Sequence, residues 1–377
     1  MIKAPKDGHT RAENTNTQPL RQRRVFNNPE AITRSWYPVC PSSELPRGKA
    51  KSFKITFQRI VVFRGEDGVV RALDAFCPHM GADLGNGRVC GKEIECYFHQ
   101  FRLDGSGSVT RARGVKNLKV AQKNRAYPVE EKYGFIWVFA GENPSHGVPE
   151  PPGLEGQEVT AWYVEGPLLY AHHHVMMAGG IDLLHFASVH GIDAEFEHEV
   201  VQHSSDVADW RVRGMLPTAG WRSKLGRKVL GPRFGYDARF AGGSIVSLTY
   251  GPDQRLGGDG PPLPPLHILW GCVAEESGVS RVHIFLITRK RKGLLGAFAD
   301  RGVLALTVAL LALLQDDDVK AFPHMRFNPQ SLTAEDASVA RLLRFIDGLP
   351  LSEWSRCPID PRRELEPARE PARAEAT

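Results

Sequence analysis

Two short cysteine–histidine pairs are the residues of this chain best suited to metal chemistry. The first has the form Cys77-x-His79, and after sixteen intervening residues the second has the form Cys96-x-x-His99. Thiolates and imidazoles bind zinc, and they also hold two-iron clusters in which one iron takes two thiolates and the other two imidazoles. Zinc sites normally separate the two cysteines of a pair by two or more residues, whereas each pair here mixes the two ligand types. The pattern therefore favours a [2Fe-2S] cluster over a Cys2His2 zinc site.

A second group of possible metal ligands lies further along the chain. Asp182 and His185 are three residues apart and would share one face of a helix. His190 lies five residues beyond His185, so the helix must bend or end if both imidazoles are to bind one metal. Taken alone, a histidine pair at this spacing is more often structural than metal-binding.

Three adjacent carboxylates, Asp316, Asp317 and Asp318, follow the most apolar run of the chain, Val303–Leu314. Negative charge at the C-terminal end of a helix is unfavourable because it opposes the helix dipole. This modestly supports a metal-binding role for one of the three carboxylates.

The residues around the two cysteine–histidine pairs resemble the Rieske domains of ring-hydroxylating oxygenases. The resemblance is carried by residues 79–85 and 100–107, and it covers about Phe26–Trp354 in all. Respiratory Rieske proteins have two further cysteines near the cluster, whereas Ala82 and Phe98 stand at the matching positions here. The resemblance is thus to the oxygenase and ferredoxin branch.

Within that resemblance, residues 179–190 are similar to the Asp-x-x-His-x-x-x-x-His segment of the oxygenases' mononuclear iron site. This implies that His185 and His190 bind iron(II). Asp182 would be a carboxylate that bridges to a cluster histidine of the neighbouring subunit. Gly179 departs from the family, which often has Asn there.

The resemblance also implies which carboxylate completes the iron site. The segment 318–322, Asp-Val-Lys-Ala-Phe, looks like the Asp-Val-(Lys/Glu)-Ile-Trp segment of 3-ketosteroid hydroxylases and aminopyrrolnitrin oxygenase. Asp318 is therefore the expected third ligand, with Asp316 in reserve.

A Rieske oxygenase of this kind implies a set of cofactors and partners. The expected cofactors are a [2Fe-2S] cluster on Cys77, His79, Cys96 and His99, mononuclear Fe(II) and O2. NAD(P)H electrons would arrive through a separate reductase or ferredoxin, because no nucleotide- or flavin-binding fingerprint occurs in the chain. The substrate would be a small apolar molecule, ring-containing, sterol-like or a secondary metabolite. A homotrimer is implied because electrons cross between subunits.

The expected fold is α+β, with an N-terminal all-β Rieske domain and a C-terminal helix-grip catalytic domain, an antiparallel sheet with helices. Predicted boundaries are a flexible tail over 1–28, the Rieske domain over 29–141, a Pro/Gly/Glu-rich linker over 142–156, the catalytic domain over 157–357 and a disordered tail over 358–377.

Hydrophobic periodicity places the elements of the second domain. Residues 251–265 are rich in Pro, Gly and Asp, which predicts an irregular loop or lid. Helices are predicted over 181–190 and 292–322. Strands are predicted over 159–170, 200–212, 244–250, 266–273 and 279–287.

Composition and charge narrow the class of protein. With 42% hydrophobic and 24% charged residues the chain is an ordinary globular protein, and a net charge of +5 over 377 residues supports no nucleic-acid partner. The N-terminus lacks the apolar core of a signal peptide, and six cysteines do not form a secreted framework, so a reducing, cytoplasmic setting is expected. The apolar run has only 12 residues, which predicts no transmembrane segment but a buried helix, with a membrane-surface helix as the alternative.

One further candidate metal site and two alternative functions were considered. The run His172-His173-His174 lies in a strand-like stretch where alternate residues face opposite sides, so the three rings are not expected to converge on one ion. A Rieske electron-transfer protein with a non-catalytic lipid- or partner-binding domain is the main alternative function. A zinc hydrolase at His185 and His190 is a third, but it leaves the Cys77–His99 pattern unexplained.

Overall fold

The structure is a computed structural model that describes residues 24–114, 123–191, 195–276, 278–322, 325 and 327–356. Of the two predicted tails, only residues 24–28 fall among these. Val25 and Phe26 are buried in the core of the second domain, and their amides donate to the Asp347 carboxylate at 2.8 and 2.9 Å. The expected tail boundary at residue 28 is therefore too late, because an apolar pair anchors the chain several residues earlier.

The N-terminal half of the fold consists of short antiparallel strands, as the β-rich runs predict. They form three small sheets with the orders β1-β11-β10, β2-β3-β4-β9 and β5-β6-β7-β8. The strands are β1 (Trp36–Pro41), β2 (Lys49–Ile55), β3 (Gln58–Arg64), β4 (Val70–Asp74), β5 (Arg88–Cys90), β6 (Glu93–Glu95), β7 (Arg102–Leu103), β8 (Val109–Arg111), β9 (Ala126–Tyr127), β10 (Val129–Lys132) and β11 (Phe135–Phe139).

A seven-stranded antiparallel sheet with the order β12-β18-β17-β16-β15-β14-β13 forms the second half. Its strands are β12 (Val159–Leu169), β13 (Phe196–Gln202), β14 (Val207–Met215), β15 (Arg233–Ala241), β16 (Ile245–Tyr250), β17 (Leu266–Glu276) and β18 (Val279–Arg289). The helices are α1 (His173–Gly179), α2 (Leu183–Ser188), α3 (Trp221–Leu230), α4 (Gly293–Ala321) and α5 (Ala337–Asp347). The predicted α+β class, with a sheet domain followed by an antiparallel sheet with helices, is confirmed.

The two halves share an apolar core. Trp137 and Phe135 of β11 pack against Phe285 of β18, with ring centroids 5.0 and 5.3 Å apart. Leu269 and Ile287 of the large sheet belong to the same buried cluster. Burial of such aromatic side chains holds the small sheets in a fixed position on the large one.

Most predicted elements of the large sheet are confirmed, with two differences. The strand expected over 200–212 is a hairpin of β13 and β14, because Ser204, Ser205 and Asp206 turn the chain and the His203 N–H donates to the Val207 carbonyl. Strand β15 is missed, although its burial alternates with the two-residue period of a strand. The loop predicted over 251–265 contains no helix or strand of the sheet.

Helix α4 lies against β17 and β18 through one face only. Leu304 and Leu311 pack with Ile268, Ile284 and Leu286. Leu, Ala and other strong helix formers make up most of the helix, and it carries the Asp316–Asp318 segment to its C-terminal end. Over Gly293–Ala312 it is long and apolar enough to cross a membrane by length and composition, so the expected lack of such a segment is not confirmed.

Candidate metal centres

The two cysteine–histidine loops repeat one backbone pattern. The Gly81 N–H donates to the Cys77 carbonyl at 2.9 Å, and the Gln100 N–H donates to the Cys96 carbonyl at 3.0 Å. Gly81 and Gln100 both have positive φ angles, 75° and 57°, which close the two turns. The amide of each cysteine donates in turn to the residue just beyond its turn, Ala82 or Phe101. Cys77 and Cys96 therefore occupy equivalent positions in two facing loops.

The cysteines and the histidines of this site differ in their exposure to solvent. Cys77 and Cys96 are 3% and 2% exposed, whereas His79 is exposed and His99 half-buried. The imidazole rings of His79 and His99 have centroids 4.7 Å apart, and His79 stacks on Phe101 at 4.4 Å. Thiols thus point into the domain and imidazoles towards its surface, so the two thiolates could hold one iron and the two imidazoles the other.

The Cys77 thiol needs a cation to ionise at neutral pH. Burial is the main cause that raises the pKa of the Cys77 thiol to about 11, and the neighbouring Cys96 adds to it. A thiolate at this position is stable at neutral pH only when it binds a cation, so metal binding releases a proton here. The burial of Cys77 and Cys96 is therefore better explained by a role as metal ligands than by a role as free thiols.

The second site is assembled by the end of α2. Asp182 begins the helix, and its Oδ1 accepts from the amides of Leu184 and His185 at 3.1 and 3.3 Å. The helix ends at Ser188, two residues before His190, so the chain turns back and brings His190 Nε2 to 3.0 Å from His185 Nε2. The bend that the five-residue spacing demanded is present.

Asp318 completes the group from α4, far along the chain. Its Oδ1 lies 3.6 Å from His185 Nε2 and 3.4 Å from His190 Nε2, and the three donor atoms lie within 4.8 Å of one another. The side chain of the reserve candidate, Asp316, lies outside the described residues. The structure thus brings together His185, His190 and Asp318.

The donors of this group are oriented for a cation. His185 Nδ1 donates to the Asp182 carbonyl at 2.7 Å, which leaves the Nε2 lone pair pointing at the other donors. Asp318 Oδ1 is buried and accepts no hydrogen bond from the described residues. Burial acts to lower the pKa of His185, but the nearby Asp318 carboxylate and the Asp182 carbonyl together outweigh it and raise the pKa. A site that attracts a proton in this way attracts a metal cation for the same electrostatic reason.

Comparison with known protein families finds a match over the segment that contains the first site. Residues 35–122 match the Rieske [2Fe-2S] domain family. The chain contains a Rieske domain.

Its curated relatives include enzymes named for sterols. The chain is 30% identical to the cholesterol 7-desaturase of Bombyx mori over 202 residues, 48% of this chain and 42% of that protein. It is 29% identical to the oxygenase component of a 3-ketosteroid-9-alpha-monooxygenase of Rhodococcus rhodochrous over 173 residues, 43% of this chain and 45% of the relative. The matches therefore span less than half the length of these relatives.

Solved structures show that the fold extends beyond the Rieske domain. The terminal oxygenase of carbazole 1,9a-dioxygenase from Novosphingobium sp. KA1 superposes with a TM-score of 0.62 at 17% identity, covering 88% of this chain and 95% of that one. Dicamba monooxygenase superposes with a TM-score of 0.56 at 19% identity, covering 84% and 96%. The Rieske domain and the large sheet together thus have the fold of Rieske oxygenase terminal subunits.

Two neighbouring cavities border the second site. A cavity of about 100 Å³ is lined by His185, His190 and Asp318, together with apolar side chains such as Leu248 and Trp270. A larger one of about 560 Å³ shares Phe186, His190 and Tyr250 with it and continues between α3, α4 and the 251–265 loop. Sequence reasoning did not place α3 at this site, because its contribution comes from packing and no residue in it is a metal ligand.

The His172-His173-His174 run differs from its sequence-based prediction. It is the first turn of α1 with its cap, not a strand, and the three rings offer nitrogens within 4.8 Å of one another. The expectation that the rings cannot converge is therefore wrong, because His172 is the extended cap of a helix that begins at His173, so the three residues do not alternate across a strand. Neither His172 nor His174 lines the two cavities described above.

Hydrogen bonds within the protein occupy these three rings. His174 Nδ1 accepts from the Asn27 amide at 3.0 Å, and His172 Nδ1 accepts from the His174 amide at 3.2 Å. Nε2–H groups of His173 and His174 both donate to the Gly243 carbonyl, at 3.2 and 3.0 Å. Burial lowers the pKa of all three, that of His173 to about 4. This neutral, hydrogen-bonded cluster joins α1 to the segment before β1 and to the β15–β16 turn.

Proposed function

We propose that this chain is a Rieske-type oxygenase that uses O2 and externally supplied electrons to oxidise an apolar substrate at a mononuclear iron. The observation that carries the proposal is the convergence of His185, His190 and Asp318 on one point at the end of an apolar cavity. Two imidazoles and one carboxylate form the facial ligand set of non-haem iron(II) oxygenases. A Rieske domain in the same chain supplies the matching electron carrier.

Each ligand has a defined part in this proposal. His185 and His190 would bind the iron through Nε2, and Asp318 through its carboxylate. Bound iron(II) with open positions would supply the activation of O2 beside a substrate. The Asp182 carbonyl holds His185 in the tautomer that presents Nε2 to the metal.

The surrounding side chains keep water away from the site. Met177, Leu248 and Tyr250 line the cavity beside the ligands, and all three are buried or half-buried. Burial raises the pKa of Tyr250 well above its usual value, so its hydroxyl stays neutral. A dry, uncharged wall of this kind strengthens every electrostatic interaction inside it and limits side reactions.

Cavity size and lining support an apolar substrate of considerable size. A volume of about 560 Å³ falls in the range of about 300–1,000 Å³ typical of small-molecule sites. Its lining is dominated by Leu, Val, Phe and Pro, with Gln254 and Ser223 among the few polar side chains. We propose a ring-containing, sterol-like or secondary-metabolite substrate, in keeping with the relatives named for sterols.

Exposed apolar side chains around the Rieske histidines support the proposed partners. Phe76, Met80, Tyr97 and Phe98 are 48%, 66%, 79% and 58% exposed and surround His79 and His99. Apolar patches of this kind mark protein contacts. We propose that a separate reductase or ferredoxin docks here, and that in a homotrimer the partly exposed Asp182 of a neighbour approaches a cluster histidine.

We further propose a reducing, cytoplasmic setting, since the described cysteines are free thiols.

The first experiment is iron and acid-labile sulfide analysis of anaerobically purified full chain, together with EPR of the dithionite-reduced protein. Three irons, two sulfides and a Rieske signal per chain are expected. Two irons with two sulfides would favour the electron-transfer alternative, which needs no mononuclear iron. Zinc without sulfide would overturn both.

A further inference from the structure

Helix α4 exposes a long apolar face. Most of the apolar segment Gly293–Ala312 is not buried. Leu294, Leu295 and Phe298 are 83%, 87% and 67% exposed, and Leu306 and Val308 are 56% and 40% exposed. Isolated exposed apolar residues are ordinary, but a contiguous row on one helix marks a surface that something covers.

The spacing of these residues places them in one stripe. Leu295, Phe298, Gly302, Leu306 and Ala309 recur at intervals of three and four residues and so share a helix face. On the opposite face Val303, Leu304, Thr307 and Leu311 are buried against the large sheet. Crossing a bilayer would strip this second face from the sheet core. The helix is therefore suited to lie in the plane of a membrane surface, not to span it.

Helix α3 adds a second strip to the same surface. Leu225 and Val229, four residues apart, are 55% and 42% exposed. The larger cavity opens between the two helices, since Leu225 and Val229 line it from α3 and Leu306 and Ala309 from α4. The exposed apolar surface is thus continuous with the wall of the cavity.

Basic side chains flank these apolar strips. Lys224 and Lys228 of α3 are exposed, as are Lys292 and Arg301 at the start of α4. Among the described side chains of α3 and of residues 293–312, the carboxylate of Asp300 is buried and paired with Arg291, and no acidic side chain is exposed. Exposed acids of neighbouring segments include Asp253 and Asp259 in the 251–265 loop and Glu158, which pairs with Lys290 just before α4.

We propose that α3 and the N-terminal part of α4 form a docking surface for an anionic lipid bilayer. Leu295, Phe298 and Leu225 would enter the boundary between head groups and acyl chains, while Lys224, Lys228 and Lys292 contact anionic head groups. Apolar insertion combined with basic flanks is the combination that binds amphipathic helices to membrane surfaces. If the oxygenase proposal holds, the mouth of the larger cavity then faces the lipid bilayer, and a lipophilic substrate could pass from the bilayer into the cavity.

The test is flotation of the purified full chain with vesicles of phosphatidylcholine alone and of equal parts phosphatidylcholine and phosphatidylglycerol. Binding to the anionic vesicles that weakens with added salt is expected. The double variant Leu295→Asp/Phe298→Asp should bind at least about tenfold more weakly, because two apolar side chains are lost from the insertion. Lys224→Glu/Lys228→Glu should also weaken binding to the anionic vesicles.

Val69→Asp is the matched control, since Val69 is a 52% exposed apolar residue of the Rieske domain, away from α3 and α4. It should bind like the parent chain. Absence of vesicle binding by the parent chain would overturn the proposal, as would an equal loss in the control. Self-association in analytical ultracentrifugation that the double variant abolishes, without vesicle binding, would assign the face to a second copy instead. The Rieske EPR signal and iron content do not depend on this surface, so a negative result leaves the proposed function standing.

Discussion

The ring of Phe322 packs directly on Gly179, where a β-carbon would overlap the ring. Gly179 ends α1, just before the segment that carries Asp182, His185 and His190, and Phe322 follows α4 four residues after Asp318. This contact therefore joins the two segments that supply the second metal centre. It also explains why this chain has a glycine at position 179, because the Phe322 ring fills the space that a side chain would need.

Replacement of Gly179 should destabilise the protein. We expect Gly179→Ala to lower the free energy of unfolding by about 1–3 kcal/mol, because the new methyl group must displace the Phe322 ring. The neighbouring Gly180→Ala is the control, since a β-carbon there meets its nearest atom at an ordinary 3.4 Å. Chemical denaturation of both variants measures the difference, and Gly179→Ala combined with Phe322→Leu should recover part of the loss. Equal effects at 179 and 180 would contradict the packing explanation.

Loss of one imidazole should separate the two metal centres. In His185→Ala, one iron per chain and all substrate oxidation should be lost, while the Rieske EPR signal stays unchanged, because the cysteine–histidine loops share no residue with α2. Iron analysis and EPR on the same sample measure both. His198→Ala is a control at another histidine of the same domain. A cluster signal lost with His185 would refute the independence of the two sites.

Removal of the Asp182 charge should block electron transfer without loss of either metal. Asn also caps helices well, so Asp182→Asn should keep the Leu184 and His185 hydrogen bonds and the His185 tautomer. The carboxylate charge proposed to link two subunits would be gone. Single-turnover kinetics should show a reduced cluster that no longer delivers electrons, with iron content unchanged. Normal turnover in this variant would rule out the bridging role.

Protein stability should fall steeply between pH 6.5 and about 4. Burial lowers the folded-state pKa of His173, His267 and His283 to about 4, from an ordinary value of 6.5. The unfolded chain therefore binds protons over this interval that the folded chain does not, so stability is full above pH 6.5 and is lost as the pH decreases. Each histidine contributes at most about 3 kcal/mol by this route.

Denaturation curves at several pH values measure this slope. His173→Gln, whose amide can still donate to the Gly243 carbonyl, should unfold with a shallower pH dependence than the parent chain. An unchanged slope would exclude a contribution from the buried histidine cluster.

The sequence by itself indicated the candidate ligands of both proposed metal centres. Cys77, His79, Cys96 and His99 lie in two local loops, and each loop closes through hydrogen bonds between residues four or five positions apart. Asp182, His185 and His190 are likewise held by one short helix and its end. Ligand type and local spacing are visible in the sequence because they depend on a few consecutive residues. The α+β class followed from strand and helix periodicity in the same way.

Only the tertiary structure decided which distant residues meet these local groups. Asp318 reaches the histidines because α4 packs along β17 and β18, whereas the sequence alone offers three adjacent carboxylates of the same chemical type. The apolar run in α4 was predicted to be buried, yet one of its faces is exposed, because hydrophobicity alone does not show how many neighbours a helix has. The histidine run at 172–174 was misassigned to a strand, since a short apolar context fits either period until packing selects one. The cavity beside the proposed iron ligands likewise arises from α3, α4 and a loop that no local pattern connects.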